Sequence, residues 1–363
     1  MSDASLPEQG IRGRGAASNP QNRFERLAYL DDPDVVQPDP EAEEAPAPRT
    51  WFFRDPSRSA IVRNQSPDIP FEFSLNPYRG CEHGCIYCYA RPTHEYLGFS
   101  AGLDFETKIL VKEEIAALLR AELCAPGWTP SLVMIGGVTD PYQPVEKRLR
   151  LTRGCLEVFA ELRNPCSLVT KSALVMRDID VLQQLARYDA TTVYVSVTTL
   201  DPALHRVLEP RSSAPWRRLA AIEALAKAGV PVGVLVAPVI PGLTDHEIPA
   251  IVAACARAGA RGARHILLRL PHAVAPLFED WLARHFPERR AKVMGRIRAV
   301  RDGRVNDPRF HSRMAGSGIF AEQVHALFEL ACRRAGLADE PPPPSTRFFR
   351  RPNEPQLELF ARD

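Results

Sequence analysis

Long apolar runs are missing from this sequence. The stretch VGVLVAPVI at 232–240 is nine residues long, far short of the roughly 20 that a membrane-spanning helix needs, so no membrane partner is expected. The opening MSDASLPEQGIRGRG has no apolar region of the kind that directs export, and a cytoplasmic location is expected. An excess of one charge is missing too. Lys and Arg total 46 against 44 Asp and Glu, a formal net charge of +2, so overall charge names no partner. Cysteine is scarce. Eight in 363 residues are too few and too scattered for a disulfide scaffold, which suits a reducing compartment. Cys124, Cys155, Cys166, Cys255 and Cys332 stand singly and read as small buried hydrophobes. What remains, 45% hydrophobic and 25% charged residues, is the composition of a globular protein.

Proline is the exception to scarcity. There are 34, concentrated at the two ends. From 28 to 48 the chain carries seven acidic residues, no basic ones and five prolines, too little apolar area to offset ordering, so disorder is expected. The preceding GIRGRGAASNPQNRFE reads as a floppy basic terminus, with docking on the body as the other possibility. At the far end, Phe348, Phe349, Leu357, Leu359 and Phe360 could pin a proline-rich tail. The expected division is a disordered tail over 1–50, a core domain over 51–271, a helical extension over 272–336 and a proline-rich tail over 337–363.

Between the tails, short apolar runs recur at 71–78, 131–137, 167–172, 191–199, 230–239 and 264–271. They are nearly continuously hydrophobic, which suits strands covered on both faces. Helical patterns separate them. One is KEEIAALLRAEL at 112–123. Another is WRRLAAIEALAKAG, with Leu219, Ile222 and Leu225 on one face and Gly229 as its stop. Thr244 and Glu247 have capping-box spacing, and Asp201 before Pro202 marks a further helix start. Six alternations imply parallel strands with right-handed crossovers. A doubly wound sheet and an incomplete barrel both fit. Six units in some 200 residues favour α/β architecture of the partial (β/α)6, TIM-like kind, since a full barrel takes about 250. After Pro271 the pattern turns helical.

One short stretch carries chemistry. RGCEHGCIYCYA at 79–90 places Cys81, Cys85 and Cys88 in C-x3-C-x2-C spacing. Three thiolates are one short of a closed tetrahedral zinc site. His83 or His94 could complete a Cys3His site. Alternatively, three thiolates bind a four-iron cluster and leave one iron for another ligand.

C-x3-C-x2-C with Tyr87 before its last cysteine resembles the signature of the radical S-adenosylmethionine (SAM) superfamily. MIGGVTDPYQPVEKRLRLTR at 134–153 resembles the branch that includes spore photoproduct lyase. The likeness spans roughly 71–271 and implies a [4Fe–4S] cluster on the three cysteines, its fourth iron chelated by SAM. It further implies reductive cleavage of SAM to methionine and a 5′-deoxyadenosyl radical that takes hydrogen from a substrate. A low-potential donor such as flavodoxin or ferredoxin would supply the electron.

The same likeness implies cofactor contacts. Tyr87 belongs to the cluster motif. Gly136 and Gly137 match a two-glycine strand end that lets backbone approach the methionine amino group. Val138 stands where the family often has glutamate, leaving Thr139 and Asp140 as acceptors. Lys171 and Ser196 match cofactor-contacting positions, and Val239 and Ile240 match the segment that packs on adenine; Arg211, after the fourth strand, reads either as a fork onto the methionine carboxylate or as half of a surface ion pair. Tyr89 matches a tyrosine tied to hydrogen relay. MIGGVTD has no cysteine, unlike the repair lyase, which argues against simple spore photoproduct repair.

Residues 284–313 hold ten Lys and Arg against three acidic residues, including Arg289, Arg290, Lys292, Arg296, Arg298 and Arg301. Such a stripe is either a nucleic-acid footprint or a solvated helix face. The rival functional reading is a non-catalytic iron–sulfur or zinc protein that binds nucleic acid or passes electrons.

Overall fold

A computed structural model describes residues 11–25, 48–338 and 340–352. The acidic stretch expected to be disordered lies outside the described residues except for Pro48, as do Leu357, Leu359 and Phe360. Residues 11–25, assigned above to a disordered tail, are instead packed on the body. Phe348 and Phe349 pin the other end as expected, the first 5.7 Å from the Tyr188 ring and the second against the main core.

The described strands are β1 (Trp51–Arg54), β2 (Ile61–Arg63), β3 (Phe73–Leu75), β4 (Tyr78–Arg79), β5 (Lys108–Val111), β6 (Val133–Ile135), β7 (Cys166–Thr170), β8 (Thr191–Ser196), β9 (Val232–Val239) and β10 (Gly262–Leu267). β3, β6, β7, β8, β9 and β10 are the six apolar runs, and they lie side by side in chain order, all parallel. That order decides between the two candidate architectures. A doubly wound sheet reverses its strand order at a switch point, whereas a barrel is wound unit by unit. The fold is the partial (β/α)6 barrel.

β2 adds antiparallel to the β3 edge, and β1, β5 and β4 form a separate small sheet. Covered on both faces, the six central strands bury Val133, Ile135, Leu168, Val193, Val195, Val232 and Val234 almost completely. Helix Ile115–Cys124 packs through Ile115, Leu119 and Leu123, and helix Pro215–Lys227 through Ala221, Ile222 and Leu225, the spacing of one helical face. The Asp201 carboxylate caps its helix by accepting from Ala203 N–H at 2.7 Å. The Thr244–Glu247 capping box does not form. Thr244 accepts from Ile240 N–H, and Glu247 accepts from Thr199 Oγ1 and Leu200 N–H across the β8 end.

Helices Val274–His285 and Pro287–Ala299 build a second core around fully buried Trp281, and that core includes Cys85, Ile86 and Tyr87. Arg301 is buried and donates to Leu267 O and Leu268 O at the end of β10. A few residues on, His311 N–H and the Arg313 guanidinium donate to Asp68, in the loop joining β2 to β3. Residues 301–313 thus bridge the two edges of the sheet.

Candidate functional site

The cysteine loop starts where the first barrel strand ends. After Leu75 the short β4 pairs back on β5, and residues 80–90 turn at the C-terminal end of the sheet, where β/α folds gather their sites. Backbone bonds fix the loop. Cys81 N–H donates to Phe105 O at 2.9 Å, Ile86 N–H to Leu208 O at 3.2 Å, and Arg211 N–H to His83 O at 3.2 Å. Arg91, fully buried, donates to Cys85 O at 2.9 and 3.1 Å, to Gly102 O at 2.9 Å and to the Glu106 carboxylate at 2.5 Å.

The three thiols are free of disulfides. Cys81 and Cys85 are buried and Cys88 is half-buried. Burial pushes all three pKa values up, and the negative neighbours Asp140 for Cys81 and Glu209 for Cys85 add to it. Opposing influences aim at the same sulfurs. Lys171 favours the thiolates of Cys85 and Cys88, Arg91 that of Cys88, and the Asp140 N–H that of Cys81. The result is a largely desolvated thiol trio with backbone donors and one lysine beside it, a setting in which a bound cation would favour the thiolates. Among the described residues, no three His, Cys, Asp or Glu side chains converge as ligands of a single metal ion do. Cluster ligands attach to different irons and need no such convergence.

Each nearby histidine has one ring nitrogen engaged away from the thiols. His83 Nδ1 lies 3.3 Å from the Asp140 carboxylate, and His94 Nε2 lies 2.9 Å from Lys108 O.

The other candidates divide into two groups. Gly136 and Gly137 follow β6 beside the loop. Gly136 has φ +87°, and a Cβ there would meet Pro141 Cδ at 2.5 Å and Val169 O at 2.8 Å. A Cβ on Gly137 would meet nothing closer than Phe71 at 3.9 Å, and Gly137 O accepts from Tyr89. Lys171, half-buried after β7, carries its ammonium 5.9 Å from the Tyr87 ring centre. Ser196 ends β8, and its carbonyl accepts from Arg218 at 3.0 Å. These positions lie at or just past three consecutive strand ends, and Lys171 acts on the thiols of Cys85 and Cys88.

Tyr87, Thr139, Asp140 and Arg211 are engaged by other residues of the protein. The Tyr87 hydroxyl donates to Glu209, which also accepts from Thr198 Oγ1 at 2.8 Å and pairs with Arg218. Burial opposes charge on Glu209, but Arg218 and Lys171 hold its pKa down at about 2. Thr139 Oγ1 donates to Tyr78 O at 2.9 Å. Asp140 accepts from Thr170 Oγ1 at 2.7 Å, Lys171 N–H at 2.7 Å and Tyr142 N–H at 2.9 Å. Despite burial, these bonds and His83 bring its pKa to about 2. Arg211 lies 3.1 Å from the buried Glu82 carboxylate. Val239 and Ile240 are buried in the two cores.

Sequence reasoning missed three features. Asn76 Oδ1 accepts from Val138 and Thr139 N–H, shaping the turn after the glycines. The Arg91–Glu106 pair braces the loop from beneath. Arg269, just past β10, lies 5.1 Å from the ring centre of the half-exposed Tyr89. Only the fold makes these neighbours.

A mycobacterial protein of uncharacterised function (Mycobacterium bovis) is 42% identical over 222 residues, 61% of this chain and 65% of that protein. The chain thus spans just under two thirds of that relative's length. A radical SAM Nα-GlyT isomerase of Pseudomonas phage M6 is 24% identical over 251 residues, 68% of this chain and 50% of that protein. Spore photoproduct lyase superposes with a TM-score of 0.49 at 18% identity, covering 65% of this chain and 66% of that one. The family model of the radical SAM superfamily matches residues 75–255, which run from the end of β3 through the three thiols to the helix after β9. With that match on the barrel and its three-cysteine loop, residues 75–255 form a domain of the radical SAM superfamily.

Proposed function

We propose that this protein is a radical SAM enzyme whose Cys81, Cys85 and Cys88 hold a [4Fe–4S] cluster. The observation that carries the proposal is the trio of thiols, two buried and one half-buried, free of disulfides, at the C-terminal mouth of a parallel β/α barrel, with His83 Nδ1 engaged by Asp140 and His94 Nε2 by Lys108 O. A cluster held by Cys81, Cys85 and Cys88 would supply the one-electron reduction for cleavage of SAM, and with it the means to take a hydrogen atom from a substrate.

The chain's own residues supply the rest. Gly137, open above its Cα, gives the methionine end of SAM room to approach backbone. Lys171 offers the cofactor's carboxylate or ribose a charged donor, and Ser196 stands at the next strand end. Tyr89 and Arg269 sit at the rim, where substrate must enter. Asp140 and Glu209, fully engaged, hold the cysteine loop to β7 and β8 and keep those strand ends in register with it. A flavodoxin- or ferredoxin-like donor is the partner this chemistry calls for. Nucleic acid is the substrate class that the basic helix at 287–299 suggests.

Anaerobic reconstitution with iron and sulfide, followed by dithionite and SAM, tests the proposal. The expected result is about four irons per chain and release of 5′-deoxyadenosine, both lost in Cys85→Ala. One zinc per chain, or full SAM cleavage by Cys85→Ala, overturns it.

A further inference from the structure

The N-terminal arm, residues 11–25, is a conspicuous motif that the radical SAM assignment does not use; the matched family region begins only at residue 75. Yet the arm lies directly under the cysteine loop. Gly15 packs so closely on Gly84, between Cys81 and Cys85, that a Cβ at position 15 would stand 1.9 Å from Gly84 O and 3.2 Å from Ile86 N. Ala16 is buried with Cys85, Ile86 and Tyr87. The amides of Gly15 and Ala16 donate to the two oxygens of Glu106 at 3.0 and 2.9 Å. Glu106 in turn pairs at 2.5 Å with Arg91, whose guanidinium holds Cys85 O. A short relay therefore runs from the arm backbone through one carboxylate and one guanidinium to a cysteine ligand's own carbonyl.

The arm is anchored along its length. Arg14 donates to Glu106 O at 2.9 Å, Pro48 O at 2.6 Å and Thr50 Oγ1 at 3.0 Å. Ser18 O accepts from Leu103 N–H at 3.1 Å, and Asn22 Nδ2 donates to Glu95 O at 2.8 Å and Phe99 O at 3.0 Å. This is more than a tail resting on a surface. Arg91 and Glu106 are both fully buried, and a buried pair needs its remaining lone pairs satisfied. Two of Glu106's partners are arm amides, so without the arm the carboxylate beneath the loop is under-bonded and water can reach it.

We propose that residues 14–16 are positioning residues for the cluster: they form the underside of its binding loop, keep Cys81 and Cys85 in ligand geometry, and shut water and oxygen out. The inference rests on the cluster assignment for its consequence but not for its structural content, and the test separates the two.

Full-length Gly15→Val and the milder Arg14→Ala would be compared with the parent protein and with Arg63→Ala, a remote surface control. In apoprotein, hydrogen exchange of the peptide spanning 79–91 is expected to speed up at least about fivefold in both arm variants, the loss expected from one to two buried hydrogen bonds, while exchange in the β7–β8 peptides stays unchanged. In reconstituted protein, iron loss to a chelator and bleaching in air are expected to accelerate in the same order. Parental exchange of 79–91 in both arm variants, or iron loss no faster than in the Arg63→Ala control, overturns the proposal. Should Gly15→Val fail to fold, Arg14→Ala alone decides by the same two measurements. A parent protein that takes up no iron sinks the cluster assignment, and hydrogen exchange of 79–91 then decides by itself whether the arm holds the loop.

Discussion

At the scale of single residues, the paired glycines after β6 divide their work. Gly136 is a backbone requirement. Its positive φ and the closeness of Pro141 and Val169 O leave no place for a side chain, so Gly136→Ala is expected to cost about 2 kcal/mol or more, seen as a lowered melting temperature with or without SAM. Gly137 has room for a methyl group. Gly137→Ala should therefore leave the melt nearly unchanged and weaken SAM binding instead, measured by calorimetry on the reconstituted protein. Equal melting losses in the two variants would mean that Gly137 is also structural and that the cofactor approaches elsewhere. The glycine pair was legible as a motif. Asp140 was legible only as a residue next to it, because nothing in the chain order reveals that Thr170, Lys171 and Tyr142 saturate its oxygens. The ion pair of Arg211 was legible only as one alternative, because its partner Glu82 lies 129 positions away.

At the scale of elements, the six barrel strands announced themselves because burial on both faces leaves an unbroken apolar run. β1, β2, β4 and β5 did not, since β1 is exposed at all four of its positions, β2 at two of three and β4 at one of two, and β5 alternates between buried and half-buried. The docking of helix Ile319–Ala335 on β10 carries a titration. His265 packs against His325 and Phe328 at ring distances of 4.7 and 4.3 Å, and its Nε2 is buried without a hydrogen-bond partner. Burial, then His325, lowers its pKa from 6.5 to about 4. The folded state thus disfavours the proton that the unfolded chain accepts. Stability from this site is complete above about pH 6.5 and drains away as pH falls towards 4. Between pH 7.5 and 5.0 the loss is about 1–2 kcal/mol. His265→Phe should remove that part of the acid sensitivity, giving a smaller drop in melting temperature over the same interval. An unchanged drop would place the acid-labile group elsewhere.

At the scale of the whole molecule, the basic stripe is smaller than the sequence suggests. Arg301 is buried against carbonyls, Arg296 lies 3.5 Å from the centre of the Phe320 ring, and Arg290 pairs with Glu279. Arg289, Lys292 and Arg298 remain as exposed cations on that helix. Three phosphate contacts give a salt slope no steeper than about −3 in log K against log salt. Fluorescence anisotropy with a single-stranded oligonucleotide should show that shallow slope, and charge reversal of Arg289 and Lys292 should flatten it by about two. A steep slope that ignores the reversal would move the nucleic-acid surface away from this helix. Among the described residues, the two rims of the six-stranded wall meet through the run that ends on Asp68. Where a full barrel would insert two further staves, the Asp68 carboxylate and the Ser66 hydroxyl take the bonds that join the two edges, so changes at this tether would alter how far the edges stand apart while the wall and its cysteine loop stay as they are.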